Sequence, residues 1–284
     1  MKSKKSSMIT RRFQKFASNK LAVAGLILLI LIISSCVFAN LLTSQNPNAM
    51  NPKIKLQPPS AEHILGTDQL GRDVFARLLY GGRVSILIGL SSAILSRLLG
   101  VVLGSISAYF GGKVDFLMGY LGEFFACFPQ TILIMIVMSF LGQSPVWMVI
   151  IFTCTGWVGP MRLVRSKLLS LKEEPFVDSC RVNGVSSFSI MFSHLLPNSL
   201  GVIIVDITMS ISGYVLSEAG LSFLGLGVSP VTPTWGNIIN AAKSAQVMIN
   251  APHLWIYPAA AISLFVLCCN FFGDGLRDMF DVAQ

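Results

Sequence analysis

Charge is scarce in this chain. Only 12% of its 284 residues are Asp, Glu, Lys or Arg, against 53% hydrophobic ones. The three histidines, His63, His194 and His253, stand far apart and lack the paired spacing of a zinc site. No two of the six cysteines form a C-x-x-C pair. Five of them, Cys36, Cys127, Cys154, Cys268 and Cys269, fall in apolar runs and read as small apolar fillers. The G-x-x-x-x-G-K-[ST] phosphate loop is missing, since LGLG at 224–227 lacks the lysine and hydroxyl that hold phosphate and magnesium. H-E-x-x-H and G-x-S-x-G are missing too, which argues against an intramembrane protease or esterase. These absences leave no expected cofactor or metal on this chain and no ATP hydrolysis by it.

Long apolar runs are what the sequence has, and mean hydropathy is +0.70. They lie at 21–42, 84–109, 116–141, 146–161, 199–217 and 254–272. Segments of roughly 20 apolar residues match a hydrocarbon core about 30 Å thick. The prediction is an all-α integral membrane protein with six spans and no separate soluble domain. The first run exceeds the signal-peptide core of about 7 to 15 residues and reads as a retained anchor. Residues 1–20 form a basic tail, 21–83 the first span with an outer loop, and 84–284 the core. YGGR (80–83) and FGGK (110–113) read as membrane borders.

Cations set the orientation. Seven (Lys2, Lys4, Lys5, Arg11, Arg12, Lys15, Lys20) precede the first run, and Arg162, Arg165, Lys167, Lys172 and Arg181 cluster an even number of spans later. The positive-inside rule puts both groups, and both termini, in the cytosol, despite Lys53, Lys55, Arg72, Arg77 and Arg83 in the first outer loop. Membrane orientation therefore explains the formal charge of +8 better than nucleic-acid binding.

The cytosolic cluster surrounds EEPFVDSCRVNGVSSFSIMFSHLLPNSL (173–200). Glu173, Glu174 and Pro175 make a helix start, with acids at the positive end of the dipole. Asn183 and Gly184 suit a left-handed stop. Ser186 caps a second short helix with Phe188, Phe192 and Leu195 on one face, which Pro197 ends. An apolar stripe in a wet loop packs either on the protein's own helix ends or in a partner's groove.

The stretch FVDSCRVNGVSSFSIMFSHLLPN resembles the cytoplasmic "EAA" loop of ABC-importer permeases. Asp178, Ser179 and Cys180 stand at the E-A-A positions, Gly184 at the glycine, and Leu196 and Pro197 at the ending, with acid and small residues kept in kind. HILGTDQLGRDVFARLLYGGRVSILIG (63–89), EAGLSFLGLGVSPVTPTWGNII (218–239) and NFFGDGLRDMFD (270–281) are similar to signatures of the second permease subunit of dipeptide, oligopeptide and nickel importers. The resemblance implies a cell-membrane permease, not an enzyme, that forms half of the path by alternating access. It implies a second permease, an extracytoplasmic substrate-binding protein, and two ATPase subunits or domains that carry ATP and magnesium. Coupling to them would fall to 173–197, with Asp178, Ser179, Cys180, Gly184, Phe188, Leu196 and Pro197. Short peptides are the preferred substrate, with nickel or a metal chelate as the alternative. An ATP-independent secondary transporter is the rival from another class, and it leaves 173–200 unexplained.

Within the runs, Asp206 is costly unless it faces a water-filled path or finds a partner. A place on the translocation path is preferred over a paired structural acid. Arg97 is expected to face the bundle, Pro129 to kink the third run, and Glu123 has no assigned role. Outside, Asp73 and Arg77 are an i,i+4 pair on an expected surface helix whose apolar side is Val74, Phe75, Leu78 and Leu79. Residues 220–236, ending near Trp235, read as an ordered outer loop.

Overall fold

The computed structural model describes residues 12–280; Lys2, Lys4, Lys5, Arg11 and Asp281 of the sequence patterns above lie outside them. Helix α1 (Lys20–Val37) begins where Asn19 accepts from the Ala22 N–H at 3.1 Å. That satisfies one of the donors a helix start leaves unpaired. Helix α2 (Val74–Phe110) starts at Asp73, which accepts from the Ala76 N–H at 2.7 Å, and stops at Gly111 and Gly112, with φ of 61° and 49°. At 1.5 Å per residue, α2 is about 55 Å long and outreaches a ~30 Å hydrocarbon core.

That length corrects three expectations. The expected surface helix is the first turns of α2, not a separate element. Tyr80–Arg83 lies inside the same helix and is no border. Its glycines serve close packing: a Cβ on Gly81 would crowd the Thr234 backbone at 3.1 Å, and one on Gly82 would meet Cys36 Sγ at 2.5 Å. Asp73 caps α2 and pairs with His63 at 2.9 Å, while Arg77 turns to Asp68 at 3.9 Å and to the Pro47 carbonyl at 3.0 Å. Arg72 also pairs with Asp68, at 2.7 Å, so the segment before α2 folds around its own charges. FGGK at 110–113, by contrast, does fall at a helix end.

The third and fourth runs are each broken. Helices α3 (Gly112–Ala126) and α4 (Gln130–Leu141) meet at 79°, and α5 (Pro145–Thr155) and α6 (Val158–Lys172) at 41°. Pro129 stands at the first break, where its missing N–H and the restriction it places on Phe128 disfavour a continuous helix. The fourth run reaches Lys172, well past 161, so Arg162, Arg165 and Lys167 stand on α6. Helix α7 (Pro175–Val182) follows. Residues 187–195 then run without interruption into α8 (Leu196–Phe223), giving one span over Ser187–Phe223. Short helices α9 (Trp235–Asn240) and α10 (Ala245–Asn250) precede α11 (His253–Phe280). Four described helices are long and apolar enough to cross a membrane, and six spans result if each bent pair is one.

Helices α2 and α8 form the centre. α2 packs on α1, α5, α6 and α8, and α8 also packs on α11. Trp235 and Phe265 anchor one apolar cluster, Phe152 and Tyr214 a second at the two breaks, and Val177, Leu195 and Leu168 a third at the end that carries α7. Trp235, 1% exposed, donates its indole N–H to the Leu78 carbonyl at 3.0 Å, so 224–234 is an ordered loop pinned to α2.

Candidate functional site

A cavity of about 1010 Å³ opens where both bent pairs break and α8 passes them. Phe128 and Pro129 border it from the first break, Thr155 and Gly156 from the second, and Ser210, Tyr214 and Ser217 from α8. Arg97 enters from α2 and is the one charged residue among those lining it. Its Nε donates to Asp206 at 3.1 Å, and its Nη1 donates to Tyr214 Oη at 3.1 Å and Ser96 Oγ at 3.2 Å. The Arg97 Cζ also lies 5.5 Å from the Tyr214 ring centre, a cation–π distance. Asp206 itself is partly exposed and is not among the residues lining the cavity. Thr208 and Ser212 spend their hydroxyls on the Ile204 and Met209 carbonyls of their own helix. Glu123 is exposed and has no ion pair among the described residues.

At the end carrying α7, local geometry follows the sequence closely. Pro175 occupies the first turn of α7. The helix closes in a Schellman motif: the Val185 N–H bonds the Cys180 carbonyl and the Gly184 N–H the Arg181 carbonyl, each at 3.0 Å. Gly184 has φ 72°, as its left-handed stop requires. Asp178 is exposed and pairs with Arg181 at 3.0 Å, and Ser179 bonds back to the Pro175 carbonyl at 3.1 Å. Ser186 caps the next turn through the Ser189 N–H at 3.3 Å.

Pro197 does not end that helix. The turn before it widens, with the Leu196 N–H reaching back five residues to Met191, so the donor that proline lacks is not called upon. The same widening divides the expected apolar face. Leu195 is buried against α6 and α8, whereas Phe188 (60% exposed) and Phe192 stack on one another at 4.5 Å and face outward. With Val182, 87% exposed, they leave an apolar edge beside the exposed Asp178 and Arg181.

Two charged groups went unread in the sequence. Asp115 on α3 is gripped by Arg165 of α6 and by Ser107 of α2, joining three helices. Glu218, fully buried in α8, accepts from Ser85 and Ser222 hydroxyls at 2.7 Å each. Their partners lie 50 and 133 residues away along the chain. Neither lies inside an apolar run, since Asp115 falls between the second and third runs and Glu218 just past the fifth.

Helices long and apolar enough to cross a membrane, bordering a cavity with polar groups and one cation, are the build of an integral membrane protein with room for a small solute. The chain belongs to the family of binding-protein-dependent transport system inner membrane components, whose model matches residues 100–283. The model for the N-terminal transmembrane domain of oligopeptide transport permease C matches residues 7–59. The dipeptide transport system permease protein DppC of Alkalihalophilus pseudofirmus is 39% identical over 95% of this chain and 88% of its own length. The oligopeptide transport system permease protein OppC of Bacillus subtilis is 36% identical, over 94% and 87% respectively. The dipeptide transport system permease protein DppC of the same organism is 35% identical, over 95% and 84%. As a family member, the chain is a multi-pass inner-membrane permease subunit of an ABC importer.

Proposed function

We propose that this permease imports dipeptides or oligopeptides, in six spans with both termini cytosolic, and forms half of an alternating-access path with a second permease. Two ATPase subunits or domains, holding ATP and magnesium, dock at 173–197, and a binding protein delivers the peptide from outside. The observation that carries this reading is one of continuity: the helix that bears Phe188 and Phe192 is the helix that bears Ser210, Tyr214 and Ser217 at the cavity. A shift imposed on the exposed edge is thereby applied to the cavity wall. ATP biases the path only because it binds one ATPase arrangement better than the other. Asp178 and Arg181 add charge to the docking edge, Ser179 and Cys180 keep α7 slim, and Leu196 and Pro197 join it to α8. Asp206 takes part in the path through Arg97.

Gly184 tests the docking element. A Cβ there would meet nothing within 4 Å, so substitution acts through backbone strain alone. Gly184→Val should cost about 1–3 kcal/mol at the turn, while Gly184→Asn, tolerant of the left-handed region, should cost less. In the complex reconstituted with its ATPases and binding protein, peptide-stimulated ATP turnover should fall severalfold for the valine variant and stay near wild type for asparagine. Equal turnover in all three, with the permease inserted, would remove 173–197 as the coupling element. Peptide uptake by the chain without ATPases would remove the importer reading itself.

A further inference from the structure

We propose that Arg97 is the point in the path that takes hold of a peptide's C-terminal carboxylate; this rests on the peptide-importer reading above. Arg97 stands about 20 Å along α2 from Phe110, at a depth where a cation is expensive unless paired. Asp206 supplies the pairing, but only on one side. The guanidinium has five N–H donors, and the Nε and Nη1 positions bond Asp206, Ser96 and Tyr214. No bond from Nη2 to a protein group is among these, and the residue borders the cavity while Asp206 does not.

A ligand in the cavity thus meets Arg97 directly, whereas Asp206, paired with it at 3.1 Å, is not among the lining residues. The other polar groups nearby, Gln130, Thr131, Thr155, Ser210 and Ser217, are neutral, and the rest of the wall is apolar. That pattern suits a ligand with one invariant carboxylate and a variable remainder. A planar guanidinium held by three partners is fixed in place, and its remaining Nη2 donors suit a charge-assisted hydrogen bond to a carboxylate. Among the described residues no acid borders this wall of the cavity, so on this half of the path the group that suits Arg97 is the carboxylate end of a peptide.

The alternative is a strut that only joins α2 to α8. Two variants separate these roles in the complete complex in proteoliposomes: Arg97→Lys, and Arg97→Gln combined with Asp206→Asn so that no charge is left unpaired. ATP-driven uptake is measured for one dipeptide and for its C-terminal amide. The binding protein's own preference is common to all samples and cancels in the ratio of ratios. For the double variant, the preference for the free acid over the amide should drop about tenfold or more relative to wild type, the size of one charge-assisted hydrogen bond. Arg97→Lys should retain part of that preference. A proportional loss of both substrates, with the preference unchanged, overturns the carboxylate role and leaves a strut. If the wild-type complex imports neither peptide, the importer reading fails and this proposal with it.

Discussion

At Glu218, each carboxylate oxygen accepts one serine proton, from Ser85 on α2 and from Ser222 on its own helix. Ser85 then accepts from the Trp235 N–H at 3.2 Å, and Ser222 from the Val228 N–H at 3.3 Å. Both hydroxyls are therefore committed as donors to the acid. Glu218→Gln replaces one acceptor with an NH₂ group that faces a donor, stranding a buried hydroxyl at a cost of about 1–3 kcal/mol. The complex should melt at lower temperature, and Glu218→Ala, which strands both hydroxyls and leaves a void, lower still. An unchanged melting temperature for the glutamine variant would mean that the carboxyl already carries a proton and donates it. None of this was legible beforehand, because an acid at the border of an apolar run declares only that it needs partners. The partners come from α2 and from the next turn of α8.

Elements were legible where their signals are local. Asn183-Gly184 announced a stop and Pro129 a break, because capping and proline chemistry act within a turn or two. Gly81 and Gly82 were misread for the opposite reason: they exist to admit Thr234 and Trp235, which are about 150 residues away in sequence. Pro197 was misread because a wider turn absorbs it without ending the helix. The break between α5 and α6 offers a direct test of such long-range packing. A Cβ at Gly156 would lie 1.9 Å from Tyr214 Oη, whereas one at Gly159, also on the cavity, would meet nothing within 4 Å. Gly156→Ala should push Tyr214 off Arg97 and destabilise the complex by about 1–3 kcal/mol, as overpacking does. Gly159→Ala should change stability by less than about 0.5 kcal/mol. Thermal melts of both variants decide it; equal shifts would mean the second break relaxes freely and does not hold Tyr214 in place.

At the scale of the molecule, the two polar ends differ in how they hold charge. At one end Asn19 bonds Asp278 at 3.2 Å, Arg12 lies 5.8 Å over the Phe280 ring, and a Cβ on Gly201 would meet Phe280 at 2.9 Å. The start of the described chain, its end, and the segment leading into α8 thus share one side. Lys172 also reaches the Ala108 carbonyl there at 2.9 Å. At the other end, Arg72 and Arg77 are buried with Asp68 in the folded segment before α2, and Arg83 binds the Cys36 carbonyl at 3.2 Å. These arginines serve as structural members of that cap, whereas the cations near α7 flank spans in short connections, the population to which the positive-inside rule applies. The end with α7 should therefore be cytosolic. The check is a chain with its native cysteines replaced and single cysteines placed at Ser60, Val231 or Ser187, all of them exposed. In intact cells, a membrane-impermeant thiol reagent should label positions 60 and 231 and spare 187, which should react once the membrane is opened. Labelling of 187 in intact cells, with 60 and 231 silent, would turn the molecule over and place the Phe188 edge out of reach of any ATPase.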